Sequence, residues 1–130
     1  MKQTLRKQER LHSKKYIQQL FFEGKSFFVY PFKVIYKEVP DKNEFPIQIL
    51  TSVSKHKFKS AVKRNRVKRL IREAYRKNKS IIYGVENGRG GTLLIAFIYV
   101  ADTIIDYGRL EKKIILILQR LKSRNEKSDR

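Results

Sequence analysis

The sequence predicts one α+β domain in which helices pack on a β-sheet, and three observations predict it. Residues 92–100 are apolar at nearly every position, the pattern of a central strand covered on both faces. Residues 61–76 and 106–121 repeat apolar side chains every three to four positions, the pattern of helices with one packed side. Phe32, Val34 and Tyr36 alternate with Lys33, Ile35 and Lys37, as residues of a strand do. At 130 residues, 41% hydrophobic and 12% aromatic, the chain suits a single domain with a modest core. That domain is assigned to residues 1–121. Residues 122–130 contain no apolar side chain and are assigned to a disordered basic tail.

Taken in order, a short helix starts near Ser13, places Tyr16, Ile17, Leu20 and Phe21 at helical spacing, and stops at Gly24. Residues 27–36 read as one strand, with Pro31 marking an edge position or a late start. The polar residues 40–44 form a turn, and residues 47–53 form a second strand paired back on the first. A basic segment leads into the helix at 61–76. Residues 77–91, with Gly84, Gly88, Gly90 and Gly91, read as a loop or a frayed helix end before the central strand and the closing helix. No internal repeat is present.

Charge narrows the function. Lys plus Arg number 31 against 12 Asp plus Glu, a formal charge of +19, which calls for a polyanionic partner: nucleic acid or an anionic membrane. The longest apolar run, residues 93–101, is half of the ~18–20 residues that cross a bilayer. Residues 1–15 are polar and basic and do not resemble a secretory signal. The absence of cysteine excludes disulfides and thiolate zinc sites, and a cytoplasmic location is expected.

The cations concentrate around one helix. Between residues 55 and 76 stand Lys55, Lys57, Lys59, Lys63, Arg64, Arg66, Lys68, Arg69, Arg72 and Arg76, with Glu73 the only acid. At 100° per residue, Val67, Leu70, Ile71, Ala74 and Tyr75 share one side, while Asn65, Lys68, Arg69, Arg72 and Arg76 cluster opposite. Lys63 and Arg64 belong to the first turn or precede it, beside free backbone N–H groups that favour a phosphate. Arginine forks hold two phosphate oxygens or stack on a base. Asn65 either reads a base edge or caps the helix. Glu73, four residues from Arg69 and Lys77, has surface ion pairing as its plain role.

The string Ala61-Val62-Lys63-Arg64-Asn65-Arg66-Val67-Lys68-Arg69-Leu70-Ile71-Arg72-Glu73-Ala74 closely resembles the arginine-asparagine-arginine signature of the bacterial ribonuclease P protein subunit family. Arg10-Leu11, Phe21 and Gly24 resemble the opening of that family, and Ser52-Val53-Ser54-Lys55 resembles the strand entering its signature. The resemblance implies an α-β-β-β-α-β-α sandwich similar to the second domain of ribosomal protein S5, with a left-handed βαβ crossover. It also implies a protein accessory to a catalytic RNA that removes the 5′ leader of precursor tRNA, with Mg2+ held by the RNA. Two sets of contacts follow from it. Lys55, Lys57, Lys63, Arg64, Asn65, Arg66, Lys68, Arg69, Arg72 and Arg76 map to the catalytic RNA, and Arg10, Ile17, Phe21, Phe32 and Tyr36 map to a cleft for the single-stranded leader. Lys59 stands where the family usually has glycine, and Ile17 where it usually has an aromatic residue.

A nuclease site within the chain would need clustered carboxylates or a paired general acid and base, and neither pattern is present. His12 and His56 sit in cationic segments and read as surface or RNA-facing side chains. Asp102 and Asp106 read as cap and helix-dipole partners. Gly88-Arg89-Gly90-Gly91 precedes a strand, whereas a phosphate-cradling loop opens a helix. No catalytic or metal residue is therefore expected in the protein. The alternative is a ribosomal or other structural RNA-binding protein with no catalytic partner.

Overall fold

The computed structural model describes residues 5, 7–40, 46–83 and 91–128. Its elements in chain order are α1 (Lys14–Glu23), β1 (Lys25–Val29), β2 (Phe32–Val39), β3 (Ile47–Val53), α2 (Ala61–Asn78), β4 (Thr92–Tyr99) and α3 (Tyr107–Ser128). Single 3-10 turns at Lys7–Glu9 and Lys79–Ile81 precede α1 and follow α2. The four strands form one sheet in the order β1-β2-β4-β3.

β4 lies in the sheet interior because it is apolar on both faces. Leu93, Ile95, Phe97 and Tyr99 face the core under α2 and α3, while Leu94 and Ala96 face the smaller core under α1. It runs antiparallel to β2 and parallel to β3. This corrects the expected pairing of β3 with β2: α2 carries the chain from β3 across the sheet, and β4 returns between them. The strand expected at 27–36 is also corrected. It is a hairpin, β1 and β2, turning at Tyr30 and Pro31, with Phe28 opposite Lys33 and Val29 opposite Phe32.

Helix boundaries follow capping chemistry. Ser13 Oγ accepts from the Tyr16 N–H at 3.3 Å, and Ser60 Oγ accepts from the Lys63 N–H at 3.3 Å. Gly24 ends α1 by close approach: a Cβ there would come within 2.7 Å of Ile35 Cγ2. Asp106 Oδ1 accepts from the Arg109 N–H at 2.9 Å and starts α3. α3 runs through Ser128, whereas the sequence places the end of the closing helix at Leu121 and a tail beyond it. Residues 122–128 contain no glycine or proline, so nothing in them stops a helix already propagating. Of the expected turn at 40–44 and the glycines at 84, 88 and 90, all but Pro40 lie outside the described residues.

The segment before α1 extends the sheet edge. Arg10 bridges to Ile49 in parallel, and the Leu11 N–H donates to the Ile49 carbonyl at 2.7 Å. Glu9 anchors it. Its Oε1 accepts from Lys79 Nζ at 2.8 Å and from the Tyr83 hydroxyl at 2.7 Å, and both side chains of the ion pair are buried.

Candidate nucleic-acid interface

α2 is held by one side and presents the other. Val67, Ile71, Ala74 and Tyr75 are buried against the sheet and α3, and Leu70 packs at their margin. Lys63, Asn65, Arg66 and Arg69 are exposed. Lys63 and Arg64 occupy the first turn, as expected. Because Ser60 caps the helix and Asn65 lies a full turn inside it, the capping role for Asn65 is removed, and its side chain stands free at the surface.

Three of the expected RNA-facing cations are tied to the scaffold. Arg64 Nη1 donates to the Phe58 carbonyl at 2.6 Å and to the Lys59 carbonyl at 3.0 Å, bracing the entry to α2. Lys57 Nζ donates to the Val100 carbonyl, which joins that entry to the end of β4. Arg76 grips Glu73, its Nε donating to Oε2 at 3.1 Å and its Nη2 to Oε1, with Lys77 Nζ 3.8 Å from the same carboxylate. Lys59 stands before α2 without a left-handed backbone, since no non-glycine residue described has positive φ. Its side chain, like that of Lys55, is exposed.

The hydrogen bond from Arg76 holds the Glu73 carboxyl below its ordinary value of 4.5. A depressed carboxyl stabilises the fold above its unfolded value, and that contribution is lost as pH falls through the folded value. The melting-temperature difference between the wild type and Glu73→Gln should therefore be present at neutral pH. Thermal melts should show it closing as pH is lowered from 4.5 through the folded value.

Two further cations of α2, Lys68 and Arg72, meet the segment before α1 at the edge of β3. Arg10, His12, Lys68 and Arg72 line a cavity of about 220 Å³ together with Thr51, and no carboxylate lines it. Arg72 Nη1 lies 3.5 Å from Thr51 Oγ1. Burial, then the charges of Arg10 and Arg69, lower the pKa of the Arg72 guanidinium from its ordinary value. The resemblance assigns Arg10 to the leader set and Lys68 and Arg72 to the catalytic RNA set; the fold brings the three to one cavity.

The leader set otherwise divides. Ile17 is half-buried against the α1-side core, and Phe21 is exposed on α1. Phe32 and Tyr36 are corrected. Phe32 is fully buried on the opposite face, packed edge-on against Phe97 and Tyr99. Tyr36 lies on that same face beneath α3, where Arg124 Nη1 donates to its hydroxyl at 3.1 Å. Even-numbered β2 residues face α2 and α3, so the odd ones face α1. Across the sheet, Phe28, Lys33, Ile98 and Ser52 stand in register on the α1 side. α1 packs over the rows of Ile35 and Leu94 instead, leaving Phe28 and Lys33 exposed. Strand parity is the sequence signal that marks this row.

Among the described residues, no group of three His, Cys, Asp or Glu side chains is placed to hold a metal ion. Among them, also, no helix is long and apolar enough to cross a membrane.

The ribonuclease P family model matches residues 5–122, which include α2, the sheet and the α1 face. The chain belongs to the ribonuclease P protein family. The ribonuclease P protein component of Porphyromonas gingivalis is 44% identical over 108 residues, covering 83% of this chain and 79% of the relative. The solved ribonuclease P protein of Thermotoga maritima superposes with a TM-score of 0.67 at 25% identity, covering 86% of this chain and 96% of that one. A mutant Staphylococcus aureus RNase P protein, defective in mRNA degradation, shares the fold at TM-score 0.67 and 23% identity, over 89% of this chain and 90% of that one. In this family member the signature residues thus occupy the exposed side and first turn of a helix whose other side is fixed in the core.

Proposed function

We propose that the chain is the protein subunit of a cytoplasmic ribonuclease P. It docks the catalytic RNA with the exposed side of α2 and holds the precursor tRNA leader across the open row on the α1 side. Hydrolysis of the leader phosphodiester belongs to the RNA and its magnesium ions. The observation that carries this reading is the convergence of Arg10, His12, Lys68 and Arg72 on one cavity without a carboxylate. Arg72 there is partly desolvated and repelled by Arg10 and Arg69, and a bound phosphate reverses that repulsion. The cavity adjoins both surfaces, because Lys68 and Arg72 come from α2 while Arg10 and His12 lead into α1.

Single-stranded RNA is held by rings and cations that accept any base face. Phe28 supplies an exposed ring beside Lys33, with Ile98 continuing the row. The test measures binding of precursor and mature tRNA to the particle reconstituted with ribonuclease P RNA. Phe28→Ala should weaken precursor binding by about tenfold, the loss of one stacked base, and leave mature tRNA binding unchanged. Tyr36→Phe should alter neither. A larger effect from Tyr36→Phe than from Phe28→Ala would place the leader on the wrong face in this account.

A further inference from the structure

We propose that the tip of the β1–β2 hairpin and the first half of α3 form a further single-stranded RNA site, which takes a base of the leader after it has crossed the α1 face. The proposal rests on the ribonuclease P reading above. A cavity of about 500 Å³ opens here, within the size range of small-ligand sites. Tyr30 forms its wall, Ile105 and Leu116 its apolar floor, and Arg109, Lys112 and Lys113 its rim. Tyr30 is 58% exposed and Leu116 37%, so both present apolar surface to solvent. No carboxylate lines the cavity. Asp106 meets Arg109 across 3.9 Å, and Glu111 turns away to accept from Asn78 at 3.0 Å.

An apolar slot with a cationic rim fits a ligand that is flat and apolar at its centre and anionic at its edge. A nucleotide has that form: the base lies against Tyr30, and its flanking phosphates meet Arg109, Lys112 and Lys113. Continuity selects the leader as the source. The Tyr30 ring lies 6.3 Å from the Phe28 ring at 56°, and Phe28 ends the open row on the α1 side. The two rings make a step around the hairpin tip, so a strand leaving the row past Phe28 meets Tyr30 next.

The test uses the reconstituted particle and precursor tRNAs whose leaders are lengthened stepwise. Wild type and Tyr30→Phe should gain affinity as the leader grows long enough to round the tip. Tyr30→Ala and Leu116→Glu should match wild type on the shortest leaders and forfeit about tenfold on the longest. An equal loss at every leader length would overturn the proposal in favour of a contact with the catalytic RNA. No loss at any length would show that the cavity meets no RNA. Tyr30-dependent binding of the free protein to phosphatidylglycerol vesicles, without leader-length dependence, would make it a lipid site. Failure of the parent reading looks different: the chain would then leave precursor binding unchanged whatever the variant.

Discussion

Lys79→Met should cost about 3–5 kcal/mol of folding stability, because it removes one partner of a buried ion pair. The pair is 2.8 Å apart, with the lysine side chain 7% exposed and the glutamate 2%. Tyr83 donates a second hydrogen bond at 2.7 Å, but a neutral hydroxyl does not balance a buried charge. The double variant Glu9→Gln/Lys79→Met should regain most of the loss, since removing both charges removes the desolvation penalty with the attraction. Urea denaturation at pH 7 measures both. A loss below about 1 kcal/mol for Lys79→Met would mean that the pair is solvated and does not anchor the segment. A local consequence follows. Glu9 pins the strand-like stretch that carries Arg10 to the edge of β3, so Lys79→Met should also weaken RNA binding through a residue remote from the RNA.

The second large effect belongs to Arg66 and Arg69, which are exposed and have no structural role comparable to that of Arg64. The double variant Arg66→Ala/Arg69→Ala should keep the wild-type melting temperature while its affinity for ribonuclease P RNA falls. Each lost phosphate contact removes about one unit from the slope of log affinity against log salt, so the double variant should show a slope shallower by about two. Arg64→Ala should behave differently. It frees the Phe58 and Lys59 carbonyls as well as removing a charge, so its melting temperature should drop along with its affinity. Equal destabilisation by all three single variants would identify the arginines as scaffold.

Much of this fold was legible because its pattern is local. The helix start at Ser13, the apolar stripe of α2 and the two-faced apolar run of β4 are each written within one segment. Partner choice is not. Alternation marks 47–53 as a strand but does not name its neighbour, and only the crossover through α2 sets β3 beside β4. The turn at Tyr30 and Pro31 lacks the Asn-Gly or Gly-rich signal of a tight hairpin, so β1 and β2 read as one strand. For the site, charge density located α2, but the sequence could not tell Arg64, folded onto carbonyls six and five residues earlier, from Arg66, which is free. The Glu9–Lys79 anchor joins positions 70 residues apart and has no sequence signature. Phe32 and Tyr36 show the limit of assignment by resemblance: aromatic character marked them, and strand parity placed them in the opposite core.

The central claim is that this chain assists a catalytic RNA and carries no active site of its own. It is tested most directly by leader cleavage of precursor tRNA at low magnesium, with ribonuclease P RNA alone, with the chain alone, and with both. The account predicts that the chain alone cleaves nothing and that adding it to the RNA raises the cleavage rate, an increase that Arg66→Ala/Arg69→Ala diminishes. Cleavage by the chain alone, or an unchanged rate on adding it to the RNA, would contradict the account.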